Sequence, residues 1–338
     1  HIQTRYPTLK KTIMFWKKKE KTFLKINNSE ASIIKNNIES ENYNWFDYKI
    51  PKYKYLKIIG PWQKEFDTLI DETIEQLIIS ENSLKEEIDL EFLLKFPNLK
   101  ALNLGNMKLK NFNTIEKLTK LEDFFFNSYT DQELVFKFTS KLKIFSINWN
   151  KSYSIENLPN SLEYLSIDKA KKINWKHLLE NKNSILKIDF QDCDFDLLEE
   201  IIKLPNVRYL ALTSCKKVVF DNQFSNSSLK YINFHNVPIP NLEWIKALMK
   251  LEILCVYNGG EIDNIEPIKS CESLIGLSLS GNTKSRDGDI SVLDSLTELK
   301  SCFITPRRHY SHKTIEPWNW NNFSSEKKEL FKRKKNVG

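Results

Sequence analysis

A chain of 338 residues with 41% apolar and 12% aromatic side chains holds enough apolar material for a packed core, which excludes a disordered chain. Its net charge of +7 sits at the ends: residues 1–25 carry +7 and residues 326–338 carry +4, leaving −4 on residues 26–325. The repeat body is therefore mildly acidic, which argues against a nucleic-acid groove, and no run approaches the 18 apolar residues of a membrane-spanning helix.

Residues 1–22 read as a basic, disordered tail, and the charge run Lys17–Lys21 as a solvated segment. Ile13–Trp16 is only four apolar residues long and runs into KKKEK, so a signal peptide is not expected. Residues 23–52, with Phe23, Ile26, Ile33, Ile34, Trp45 and Phe46, read as an N-terminal cap over the first strand. The spacing of Phe66, Leu69, Ile70 and Ile74 predicts a helix leading into a strand at Leu77.

From Tyr53 to about residue 306 one pattern recurs. Its clearest copy is Leu274–Asn282, LIGLSLSGN, with apolar residues at positions one, four and six and Asn282 at position nine. Copies begin at Ile74, Leu99, Leu121, Leu142, Leu162, Ile185, Val207, Leu229, Leu251, Leu274 and Leu299, in steps of 20 to 25 residues, with a weaker one at Tyr53. Positions four and six share one face of a short strand, because strand side chains alternate. A single copy cannot bury that face alone, so neighbours must stack around one continuous core. The strands are then parallel and about 4.8 Å apart, giving a sheet roughly 50 Å long.

This spacing resembles the leucine-rich repeat. LLKFPNLKAL and PIKSCESLIGL resemble the bacterial internalin-like class of about 22 residues, whose returns are short 3₁₀ or helical turns. ENLPNSLEYLSI resembles the L-P-x-S-L form of some bacterial effectors, whose return is nearly extended. The resemblance implies an α/β solenoid, a horseshoe with one curved parallel sheet of about 11–12 strands over residues 53–306. It also implies protein binding rather than catalysis. Residues 307–338 read as a C-terminal cap and basic tail, with the aromatics of EPWNWNNF over the last strand and Ser324 or Ser325 capping a short helix.

The chemistry-bearing residues read mostly as structure. Cys193, Cys215, Cys255, Cys271 and Cys302 fall inside repeats and read as thiols of a reducing, cytoplasmic compartment. His309 and His312 form H-x-x-H without a companion ligand. The acids of DFQDCDFD lack the glycine and terminal glutamate of an EF-hand loop. Cys255, His235 and Asp189 could be drawn as a triad, but nothing supplies an oxyanion hole. Glycine-rich phosphate loops are missing. No catalytic residue, metal or cofactor is expected.

Positions three, five and seven of each copy should face away from the core. They present a run of exposed Tyr, Ile and Phe beside acids, and Tyr and Trp mark interfaces. The candidate partner-binding residues are Phe125, Trp149, Tyr164, Asp168, Asp189, Tyr209, Tyr231, His235 and Tyr257. The expectation is a non-enzymatic protein–protein interaction module whose concave face grips a basic partner protein. A bacterial effector and a toxin-neutralising immunity protein are both compatible with it. The alternative is a nucleic-acid or acidic-surface binder working through the basic tails, and an enzyme with an unrecognised site comes last.

Overall fold

The computed structural model describes residues 53–59, 72–80, 87–105, 107–128, 132–138, 141–194, 198–220 and 228–311, together with the backbone of short strands between residues 22 and 49. The expected helix after Trp62, the basic tail 1–21 and the aromatic segment 316–323 lie outside the described residues.

The core of the molecule is one 14-stranded sheet. It begins with β1 (Thr22–Ile26) and β2 (Ser29–Asn36), an antiparallel pair. β2 pairs antiparallel with β3 (Tyr55–Ile59), the first strand of the repeats. The backbone edge of β3 is thereby paired, which is what a solenoid's first strand requires. The strands that follow are parallel and in register: β4 (Gln76–Ser80), β5 (Ala101–Gly105), β6 (Asp123–Asn127), β7 (Ile144–Asn148) and β8 (Tyr164–Asp168). After them come β9 (Lys187–Gln191), β10 (Tyr209–Thr213), β11 (Tyr231–His235), β12 (Ile253–Tyr257), β13 (Gly276–Ser280) and β14 (Ser301–Ile304).

Each of the twelve repeat strands starts at position three of its copy, so the repeat frame and the strand frame coincide. Positions one, four and six form the core: Val207, Leu210 and Leu212 are buried, as are Leu229, Ile232 and Phe234 in the next copy. The chain is a leucine-rich-repeat solenoid. Aromatics thicken the core where the returns are extended. Phe124, Phe126, Phe136 and Phe145 pack within 5.6–6.4 Å of one another. Phe126 meets Phe136 edge to face at 64°, while Phe124 and Phe145 stack at 17°.

The returns vary as their sequences predict. LEFLLK (Leu90–Lys95) and EPIKS (Glu266–Ser270) form 3₁₀ turns. Short α-helices, α1 (Trp175–Leu179) and α2 (Leu198–Ile202), occupy two repeats. The return from Glu156 to Glu163 has no helix, and Tyr153–Ile155 pairs instead with Leu134–Phe136.

From β8 to β13 the strand ends are turned by position eight. Lys169, Asp192, Ser214, Asn236 and Asn258 all take φ of 50–62°, and Gly281 takes 70°. That left-handed conformation suits Gly, Asn and Asp, which explains their frequency there. Their amides donate in sequence to the position-seven carbonyls of the next strand: Asp192 to Thr213, Ser214 to His235, Asn236 to Tyr257 and Asn258 to Ser280.

Position nine needs a correction. Cys193 and Cys215 occupy it as buried side chains, but Asn282 is exposed. Thr283 takes the interior place instead, accepting from the Gly259 amide at 2.8 Å and reaching the Val256 carbonyl at 3.4 Å. Asn282 joins a surface ladder, its amide 3.0 Å from Asn258 Oδ1 and its Oδ1 3.0 Å from the Gly260 amide. Gly281 takes the same left-handed turn as its counterparts, yet here the interior place falls one residue later.

Candidate functional site

The concave face is built from positions three, five and seven, and burial falls along β9 to β12. On β10 to β12, position three is interior: Tyr209 is 3% exposed, Tyr231 4%, and Ile253 is fully buried. With Ala211 they form a second apolar cluster, separate from the main core, against which Cys255 and Ile275 pack. At position seven of these strands Thr213 and His235 are half-buried, and Tyr257 is 46% exposed. The accessible concave surface therefore leans to the carboxyl ends of the strands.

This corrects the expectation that Tyr209, Tyr231 and Ile253 form an exposed run. In-register strands hold equivalent side chains side by side, so each ring is covered by its neighbours rather than presented to solvent. Tyr231 also donates its hydroxyl to Glu252 Oε2 at 3.0 Å, while Lys230 holds Glu252 Oε1 at 2.7 Å. Glu252 belongs to a charged row at position two, where Lys100 pairs with Glu75 at 2.6 Å and Lys143 with Glu122 at 2.8 Å. The Glu122 bond raises the Lys143 pKa, and burial raises that of Glu163.

The middle of the face holds a residue that the sequence reading passed over. Lys187, 5% exposed, lies between the rings of Tyr164 and Tyr209, its ammonium 4.7 Å and 4.5 Å from their centroids. The signal was present: Tyr, Lys and Tyr occupy position three of successive copies. Asp189 follows two residues later on the same face and stays half-buried. Tyr164 is half-buried, and desolvation followed by the nearby Asp189 charge pushes its phenol well above the ordinary value. Asp168 is half-buried too. Desolvation raises its carboxyl pKa; Lys169, 4.0 Å away, opposes that rise, and Asp192 and Asp189 add to it. Its Oδ1 is buried without a hydrogen-bond partner.

Phe125 is half-buried, in register between Asn103 and Ser146. His235 and Tyr257 meet at 4.7 Å between ring centroids and 59° between planes. Trp149 leaves the concave row: its amide donates to the Asp168 carbonyl at 2.7 Å, and its ring packs on the main core with its centroid 6.3 Å from that of Tyr153. Six of the nine candidates, Phe125, Tyr164, Asp168, Asp189, His235 and Tyr257, thus keep side-chain surface on the concave side.

Cys255, His235 and Asp189 do not assemble as a triad. Burial pushes the Cys255 thiol up, the opposite of an activated nucleophile. Asp189 is on β9 and His235 on β11, two strand spacings or about 10 Å apart. His309 is committed to structure, its Nε2 lying 2.9 Å from the Ser285 carbonyl, while His312 is outside the described residues. Asp194 is held by Lys171 at 3.0 Å and Lys217 at 3.2 Å. Among the described residues no group of His, Cys, Asp or Glu could hold a metal ion, and no helix is long and apolar enough to cross a membrane.

No known family and no curated protein matches the sequence. Among solved structures, the chain is similar to TLR13 in its complex with ssRNA13, at TM-score 0.52 and 20% identity over 68% of this chain and 36% of that one. An internalin (inlF) of Listeria monocytogenes aligns at TM-score 0.49 and 16% identity, over 69% of this chain and 74% of that one. A leucine-rich-repeat protein of Leptospira interrogans aligns at 0.47 and 20%, over 72% and 69%. The likeness to TLR13 shows the repeat fold alone, and the chain spans about a third of TLR13's length.

Proposed function

We propose that this repeat array is a non-enzymatic protein-binding module that grips a basic partner protein on its concave face. The observation that carries the reading is the burial gradient: the carboxyl-end rim offers Tyr257 and His235, two to four strands along the same face from a half-buried acidic centre at Asp168 and Asp189. Tyr supplies flat, amphipathic surface at low entropy cost, and acids steer a basic partner. Tyr209 and Tyr231 serve as the rigid floor beneath that surface. The TLR13 complex holds a single-stranded RNA, but the −4 charge on residues 26–325 here disfavours the same ligand on the array. An effector or an immunity protein in a bacterial cytoplasm both suit this reading, and the five free cysteines suit a reducing compartment.

The test is capture of the partner from native lysate, followed by affinity measurement on purified proteins. Tyr257→Ala and His235→Ala should each weaken binding by about 1–3 kcal/mol, as hot-spot truncations do. Lys203→Glu, on the convex side, should leave it unchanged. Silent concave variants alongside a convex variant that abolishes binding would move the site elsewhere.

A further inference from the structure

The charge of this chain is segregated. Residues 26–325 carry −4, and residues 326–338 carry +4. The basic run is Lys332, Arg333, Lys334 and Lys335, preceded directly by Leu330 and Phe331. Residues 312–338 lie beyond the described residues, but their point of departure is fixed. Arg307 donates from Nη2 to the Gly281 carbonyl at 2.7 Å, and the Ser311 amide donates to the Gly288 carbonyl at 2.9 Å. The segment is therefore tethered beside β13 and β14, at one end of the concave face.

From that end the face presents two features in order. Tyr257 on β12 and His235 on β11 come first, ring against ring at 4.7 Å. Asp189 on β9 and Asp168 on β8 follow. Asp168 lies in surroundings that disfavour its charge: Oδ1 is buried without a hydrogen-bond partner, and desolvation raises the carboxyl pKa. A cation brought beside it offsets both. The order along the segment is the same, with Leu330 and Phe331 first and then four consecutive bases.

The lengths agree as well. β14 and β9 are five strand spacings apart, about 24 Å. Lys332 is nine residues past Phe323, a stretch of chain that spans up to about 32 Å. The bases therefore reach Asp189 even with Phe323 held over the last strand. The four residues from Phe331 to Lys335 span up to about 14 Å, which matches the three spacings from β11 to β8. The amino-terminal run Lys17–Lys21 does not reach. It begins at most five residues from Thr22 in β1, about 18 Å of chain, whereas β1 is eight spacings or about 38 Å from β9.

We propose that Leu330–Lys335 is an intramolecular ligand of the concave face, with Leu330 and Phe331 on the Tyr257–His235 rim and Lys332–Lys335 at Asp189 and Asp168. This rests on the reading of that face as a site for basic partners, and it names the regulation of the site. A tethered segment meets the face at an effective concentration on the order of 1 mM, so an external basic protein must displace it. Salt loosens the seat, because charges near solvent are screened.

The test needs no partner. The full chain is treated at low salt with a water-soluble carbodiimide, which joins a carboxylate to an amine only where they touch, and the links are mapped by peptide mass. Links from Asp168 or Asp189 to Lys332, Lys334 or Lys335 should be about tenfold more abundant than links from those lysines to Glu266 and Glu272, as contact-limited coupling requires. Those two glutamates are exposed in the return before β13, close to the tether, so an undocked segment would favour them. Lys332→Glu combined with Arg333→Glu should cut the remaining Lys334 and Lys335 links about tenfold, with the circular dichroism spectrum unchanged. In an equal mixture with isotope-labelled chain, the links should stay within one chain. Links spread over Glu266 and Glu272, links joining labelled to unlabelled chain, or none at Asp168 and Asp189 would overturn the proposal. None of these outcomes touches partner binding at the rim, which Tyr257→Ala and His235→Ala test separately. Silent rim variants beside a positive map would remove the external partner and keep the segment's seat.

Discussion

The ammonium of Lys187 lies 4.5 Å from the centroid of the Tyr209 ring, with Tyr164 closing the other side at 4.7 Å. A desolvated cation between two phenol faces is stabilised by both ring quadrupoles, worth about 1–2 kcal/mol per contact in such a setting. Tyr209 is therefore part of the fold as much as of the surface. Tyr209→Ala should destabilise the protein by about 3–5 kcal/mol, the range for truncating a buried aromatic. Tyr209→Phe should cost far less, because the ring face remains. Urea midpoints for the two variants check this; equal midpoints would contradict the sandwich.

Leu210 tests the repeat frame itself. It is fully buried one residue after Tyr209, on the opposite face of β10. Leu210→Asp buries a carboxyl with no partner and should cost about 4 kcal/mol or more. A thermal melt unchanged from wild type would mean that the inward and outward faces are exchanged.

Gly259 is needed for room rather than for an unusual dihedral. A Cβ there would lie 2.5 Å from Val256 Cγ1 and 3.4 Å from Thr283 Oγ1, both buried. Gly259→Ala should therefore cost about 1–3 kcal/mol through overpacking. It should also disturb the bond between the Gly259 amide and Thr283, which amide exchange at that position would report.

Glu261 on the convex side accepts from Arg286 and Lys284, both at 2.7 Å, and its pKa is lowered to about 2, with the Lys284 hydrogen bond the larger cause. Its folded value is below its unfolded one, so its contribution to stability is present above the ordinary carboxylate range and is lost as pH falls toward 2. The group is fully exposed, so salt screens the effect. Carboxyl NMR titration should place Glu261 lowest among the exposed glutamates, and Arg286→Ala should move it up. No movement would leave Lys284 as the sole cause.

The acidic centre makes a kinetic prediction. Asp168→Lys combined with Asp189→Lys should slow association with a basic partner at low salt and change dissociation little, since steering acts on encounter. Stopped-flow rates at two ionic strengths separate the terms. Equal association rates in both would remove electrostatic steering from the proposed binding mode.

The linear order of residues determined the solenoid, the starting point of every repeat strand and the core rows, because a strand's alternation and a repeat's period are local properties of the chain. Val207, Leu210 and Leu212 could be assigned to the interior from spacing alone, and so could the 3₁₀ returns before Leu99 and Leu274. The depth of cover on the other face is not a local property. Alternation places Tyr209, Tyr231 and Lys187 opposite the core, but only the in-register approach of neighbouring strands decides that they are buried while Tyr257 is not. Trp149 left the concave row because the chain turns at the end of β7, one residue beyond the alternating segment. Thr283 replaced Asn282 in the interior, where it bonds the Gly259 amide and the Val256 carbonyl of the neighbouring repeat.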